Sequence, residues 1–303
     1  MNELGNGPRS VMVPEPGMVS PAAAVAIDRR IGSLLVDGGY LTPADVNRVL
    51  EQQSREGGRF GQIARRMGLI RRSEVEESLA RQFDYPFLRD GDRSVSSRVV
   101  LAFRPASRVG EAMRALRSQL MLRWFSRVPT RPALAITGVG RGEGRSFVTA
   151  NLAVAFAQMG QRTVLVDADL RNPMQHALFR VQRRRGLAAI LAERAGYDAI
   201  TDIPGVPGLS VLPAGVVPPN PQELLARPSF DALLAELASR YAIILLDTSA
   251  AAESADSQWV AQRTRGALVV ARRDRTPIDR LVDFDASLRQ VDVQVVGSIY
   301  NDH

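Results

Sequence analysis

From residue 133 onward the chain alternates short apolar runs with longer segments whose apolar positions recur at helical spacing. The short runs at 133–137, 162–167, 209–213, 242–247, 266–271 and 293–299 predict strands, and helices lie between most of them. Such alternation is the signature of an α/β fold with a largely parallel, doubly wound sheet. Sheets of this kind bind ligands beyond the carboxyl ends of their strands. Upstream, residues 109–125 carry an apolar stripe of Met113, Leu116, Leu120 and Trp124, which predicts a helix. Glu111, Arg114 and Arg117 sit three apart along another face, and on spacing alone they are a solvated face with ordinary ion pairs.

Nearer the N-terminus the pattern repeats itself. Residues 30–53 and 59–82 are two copies offset by 29 positions, with a five-residue spacer at 54–58. Arg30, Gly32, Gly39 and Gln53 in the first copy match Arg59, Gly61, Gly68 and Gln82 in the second. Each copy predicts a short helix, a glycine turn, a cap at Thr42 or Ser73, and a helix with apolar positions four apart. The resulting organisation is a disordered tail over 1–26, rich in Gly, Pro and Ala, and a small all-α repeat domain over 27–90. A linker over 91–108 and the α/β domain over 109–303 complete it.

Composition narrows the chemistry. The 303 residues include no Cys and only two His, His176 and His303. Disulfides, Cys-ligated zinc and thiol catalysis are excluded, and a His-based centre is disfavoured. The net charge of +7 lies in scattered Arg and favours acidic partners such as nucleotides. Aromatic residues are too few for a nucleic-acid stacking platform. No apolar run approaches the ~20 residues of a membrane span, and no signal-peptide core is present. The expected location is cytoplasmic, with any membrane reached through a partner.

The candidate chemistry centres on Gly-Val-Gly-Arg-Gly-Glu-Gly-Arg-Ser at 138–146, between the first strand and a long apolar run. Strand, glycine turn and helix form a phosphate cradle, because glycines let successive N–H groups converge on one anion at the helix N-terminus. The Walker pattern expects Lys where Arg145 stands. Gly140, Arg141, Gly142, Glu143, Gly144, Arg145, Ser146 and Phe147 are the candidate nucleotide contacts. Asp167 and Asp169 close the second strand run and Asp247 closes the fourth. A single strand-end Asp is more often a cap, but three beside a glycine turn point to a magnesium–nucleotide site. Ser146, Asp247 and Asp169 are the expected metal ligands, and Asp167 and Asp169 are candidate bases.

On these motifs residues 109–301 resemble the cytoplasmic kinase domain of bacterial tyrosine kinases that control polysaccharide export. The resemblance rests on Gly142 to Ser146, on Val166-Asp-Ala-Asp-Leu-Arg171, and on Asp247. Pro218 to Leu225 and the closing Val296 to Asn301 extend it. It implies a P-loop fold, ATP and magnesium as cofactors, catalytic roles for Arg145, Asp167 and Asp169, and nucleotide contacts from Arg171 and Asn301. It also implies a homo-oligomeric ring through Glu111, Arg114 and Arg117, and a membrane chain-length protein as partner. The repeat resembles the N-terminal domain of type II secretion and pilus ATPases, in the subclass that binds cyclic di-GMP. That implies the second messenger as regulator, held by Arg30, Gly32, Gly39, Gln53, Arg59, Gly61, Gly68 and Gln82. The sequence departs from the kinase pattern at Arg145, at Thr248-Ser-Ala250 where a proline is usual, and in its unclustered tyrosines at 40, 85, 197, 241 and 300. A catalytically weak nucleotide-bound adaptor and a partitioning-type ATPase switch are therefore the alternatives. Gly140, standing where the switch proteins carry a second lysine, disfavours the last.

Overall fold

The computed structural model describes residues 31–71, 74, 75, 78, 86–89, 91–127 and 132–302. The expected N-terminal tail, Arg30, Gln82, Tyr85 and most of the second repeat's last helix lie outside these residues. The chain divides into two units, Met1–Asp84 and Tyr85–His303.

In the first unit residues 31–37 are helical, followed by α1 (Pro43–Glu56) and α2 (Phe60–Arg66). Thr42 caps α1 as expected: its hydroxyl accepts from the Asp45 N–H, and the Asp45 carboxylate accepts from the Thr42 N–H. Leu35, Leu41, Val49, Phe60, Ile63, Ala64 and Ile70 form the core. The internal repeat is legible in its glycines. A Cβ on Gly32 would stand 2.9 Å from Val46, and one on Gly61 would stand 3.1 Å from Val75. Gly39 and Gly68 hold φ of 74° and 69°, each ending a helix in the left-handed region. The paired glycines thus answer to helix packing and turn geometry.

In the second unit, α3 (Val100–Phe103) and α4 (Arg108–Leu120) precede a seven-stranded sheet. A π-helical turn at Met121–Phe125 ends α4. The strands are β1 (Ala133–Thr137), β2 (Thr163–Asp167), β3 (Thr201–Asp202), β4 (Leu209–Leu212), β5 (Ile243–Asp247), β6 (Gly266–Arg272) and β7 (Gln294–Asn301). They lie in the order β3-β4-β2-β5-β1-β6-β7, parallel except for β3 at one edge. Strand β3 escapes a sequence reading because two exposed residues carry no pattern.

The period-two alternation of the central strands builds two cores. Leu134, Ile136, Leu165, Ile243 and Leu245 face one; Ala133, Ala135, Val164, Val166, Ile244 and Leu246 face the other. The first core is covered by α4 and by α5 (Arg145–Ala157), whose residues from Val148 to Ala157 are all buried. A helix buried all round needs cover on both sides. Its outer side is covered by the segment expected as a linker. Val95, Val99, Leu101 and Ala102 are buried there, so 91–108 is an integral layer of this unit. Asn151 in α5 and Gln158, the residue that follows the helix, secure it. Asn151 accepts from the Leu101 N–H at 3.0 Å, and Gln158 donates to the Leu101 carbonyl at 3.2 Å.

Candidate active site

The glycine loop runs from Gly138 to Gly144 between β1 and α5. Gly142 and Gly144 adopt φ of 76° and 97°, which only glycine holds without strain. At Gly138 a Cβ would come within 2.6 Å of the Val270 carbonyl, so the loop lies tight on β6. The exposed N–H groups of the loop and the first turn of α5 face a cleft of about 260 Å³. Arg98, Arg141, Arg145, Ser146, Phe147 and Asp169 are among its lining residues.

Arg145 is the first residue of α5 and is 7% exposed. Its guanidinium donates to the Thr248 carbonyl at 3.1 Å and the Gly140 carbonyl at 2.6 Å, lying back across the loop. A charge thus sits under the phosphate cradle, within reach of its floor.

Strand pairing sets the acids. Asp167 and Asp247 are register partners across β2 and β5, both fully buried. Burial pushes the Asp247 carboxyl up to about 6, against hydrogen bonds from Gln175 and Ser146 that favour its charged form. Burial, and then the Asp247 charge, raise Asp167 well above the usual carboxylate range. One oxygen of Asp167 accepts from the backbone N–H groups of Met174 and Gln175, which open α6 (Gln175–Leu178); the other, Oδ1, is buried with no partner among the described residues. An uncompensated buried carboxylate oxygen is the feature that a bound cation or a transferable proton explains.

Of the expected residues, the fold brings Gly140 to Phe147, Asp167, Asp169, Asp247 and Asn301 to one end of the sheet. Two of the expected side chains are engaged within the protein. Glu143 is 2% exposed and turns inward, accepting from the Thr276 hydroxyl at 2.6 Å and facing Arg145, so only its backbone is left for a ligand. Arg171 forms a bidentate pair with Asp256. Asp169 is engaged by the N–H groups of Arg171 and Asn172. Asn301 donates to the Glu143 carbonyl at 3.0 Å and so pins the end of β7 to the loop. Gln175 was not singled out by sequence: its amide bonds Asp247 at 2.7 Å and the Ser146 carbonyl at 3.1 Å, bridging the end of β5 and the first turn of α5. Nothing in the local pattern marks it, because its role depends on the β2–α6 crossing.

On the helix α4, Arg114 bonds Glu111 and the Pro105 carbonyl, and Arg117 donates to the Ala155 carbonyl at 2.9 Å. In the repeat unit Gln53 donates to the Gly58 carbonyl, closing the spacer.

A family profile described as cellulose biosynthesis protein BcsQ matches residues 132–283, β1 into the helix before β7. Tyrosine-protein kinase YwqD of Bacillus subtilis is 30% identical over 203 residues, covering 67% of this chain and 85% of YwqD. The chain belongs to the bacterial tyrosine-protein kinases. Within that family, the kinase domain of Escherichia coli tyrosine kinase Etk is similar in structure, with a TM-score of 0.65 and 30% identity. The match covers 72% of this chain and 85% of that domain. The Salmonella typhi kinase Wzc is 32% identical over 212 residues, which take in 29% of its length. The chain therefore spans less than a third of the longer kinases it matches. No helix among the described residues is long and apolar enough to cross a membrane.

Proposed function

We propose that this chain is a magnesium- and ATP-dependent protein-tyrosine kinase of a polysaccharide export system, acting with a membrane chain-length protein. The observation that carries the reading is the buried Asp167–Asp247 pair, one oxygen of which has no partner among the described residues, set beside a glycine loop whose floor holds Arg145. Buried carboxylates of raised pKa are costly and are retained where a cation or proton completes them. Magnesium, when bound, would neutralise charge on the phosphates. Ser146 and Asp247 would hold it, with Asp169 at the cleft wall. The loop N–H groups and Arg145 bind and orient the phosphates. Gln175 keeps Asp247 and the Ser146 turn in register. Asp167 in its ionised form would take the hydroxyl proton of an acceptor tyrosine at Oδ1, and its raised pKa makes that form a stronger base.

The test is incubation with labelled ATP followed by acid hydrolysis, with and without the partner's cytoplasmic segment. Phosphotyrosine supports the kinase. Free phosphate without it supports a switch ATPase, and neither supports a nucleotide-bound adaptor. Regulation of chain length belongs to the same proposal. So does ring assembly through Glu111, Arg114 and Arg117; charge reversal at the two arginines should reduce particle mass in light scattering.

A separate reading concerns the helical unit, proposed to bind cyclic di-GMP and gate the kinase. Arg59, exposed at the head of α2, supports it; the packing roles of Gly32, Gly39, Gly61 and Gly68 support an adaptor with no ligand. Calorimetry of the full chain with cyclic di-GMP separates them: heat that Arg59→Ala removes supports binding, and no heat at tens of micromolar supports the adaptor.

A further inference from the structure

A second cavity, of about 550 Å³, opens beside the nucleotide cleft in the same unit. The two are lined by neighbouring residues of the same two segments. Ser94 lines the second cavity and Arg98 the cleft, four residues apart on the segment that covers α5. Leu178 lines the cleft and Phe179 the second cavity.

The chemistry of the second cavity is distinct. Val181, Ile203 and Pro204 give it apolar ground, and Arg180, Arg184 and Arg185 stand around it, all exposed. Its acidic residues are already engaged: Arg185 pairs with Asp198 at 3.2 Å, and Asp202 accepts from the Ser210 hydroxyl at 2.6 Å. Arg180 and Arg184 pair with no acid among the described residues. Arg180 also holds a positive φ of 52°, an uncommon conformation for a residue with a Cβ. Strand β3, Thr201–Asp202, borders the cavity and is the last strand of the sheet, so its outer edge pairs with no strand among the described residues. A free sheet edge takes an extended peptide, and two uncompensated guanidinium groups select acidic side chains on it.

We infer that this cavity is the peptide-docking site of the enzyme, selecting acidic residues beside the acceptor tyrosine whose hydroxyl enters the nucleotide cleft. The inference deepens the kinase reading and rests on it for the tyrosine, not for the acidic preference.

Binding is read independently of phosphotransfer, on the full chain, by fluorescence anisotropy. The probes are labelled nonapeptides with a central phenylalanine flanked by glutamate, alanine or lysine. The glutamate peptide should bind at least tenfold tighter than the alanine peptide, and the lysine peptide weakest, with the difference shrinking as salt rises. Arg180→Glu/Arg184→Glu should erase the preference, while Arg180→Lys/Arg184→Lys retains most of it and controls for folding. ATP hydrolysis without peptide should be unchanged in both variants. Equal binding of the three peptides by the wild type, or an undiminished preference in the charge-reversed variant, overturns the inference. Absence of phosphotyrosine on tyrosine-containing versions of the peptides, with selective binding intact, counts against the kinase reading alone.

Discussion

The two glycine-rich regions of this protein look alike in sequence and differ in what their glycines do. In the helical unit Gly32 and Gly61 let a helix approach Val46 and Val75, and Gly39 and Gly68 turn the chain. Every one is accounted for by packing or by φ. In the loop at 138–146 the glycines lie beside groups that the protein itself leaves unfinished: a buried pair of acids, one carboxylate oxygen of which has no partner among the described residues. Glycine and arginine spacing does not mark a site by itself. Buried charge without compensation does, because its cost is tolerated only where a ligand or proton repays it.

The strongest way to break this comparison is Asp247→Ala. It should cut phosphotransfer on the order of a hundredfold or more while the protein stays folded, since charge neutralisation on phosphates dominates this chemistry. Undiminished turnover in a radiolabel assay would place the site elsewhere. A second, smaller effect concerns Arg145. Arg145→Lys should keep activity within a few-fold, because a point charge suffices at this position in Walker loops, and Arg145→Ala should lower it roughly tenfold or more. An alanine variant with wild-type affinity for ATP would remove Arg145 from the cradle.

The helical unit gives the opposite pattern. Gly32→Leu or Gly61→Leu should overpack the helix contacts and destabilise this unit by roughly 1–3 kcal/mol, leaving ATP hydrolysis intact. Hydrogen exchange confined to faster protons within 31–71 would show it; unchanged exchange would mean the glycines serve something other than packing.

The smallest effect is on pH dependence, and its sign follows from the raised carboxyls. Asp247 titrates near 6 in the folded chain and about 3.9 when unfolded, so the folded state binds more protons between those values. The ligand-free protein should lose stability as pH rises from about 4 to 6, and Asp167 adds to the same direction. Asp247→Asn should flatten that slope and raise stability at pH 7 by about 1–2 kcal/mol while abolishing activity. A melting temperature that falls in Asp247→Asn at pH 7 would contradict it.

The sequence by itself determined the sheet, the loop and the acids. Central strands buried on both faces need unbroken apolar runs, and a phosphate cradle needs glycines at fixed spacing; both are local requirements, so residues 133–137 and 138–146 announce them. Asp167, Asp169 and Asp247 are legible because each ends such a run. Tertiary structure alone decided what those groups touch. Asp167 meets Asp247 only because β5 inserts between β1 and β2, and Gln175 joins them only after the chain crosses back over the strand ends. Glu143 and Arg171 sit in the motifs but spend their side chains on Thr276 and Asp256, more than eighty positions away. The segment at 91–108 reads as polar connection, yet it seals α5, because a helix buried on every side from Val148 to Ala157 must be covered from outside. Spacing along the chain encodes local geometry; register between distant strands, which fixes burial and charge pairing, is set when the whole sheet assembles.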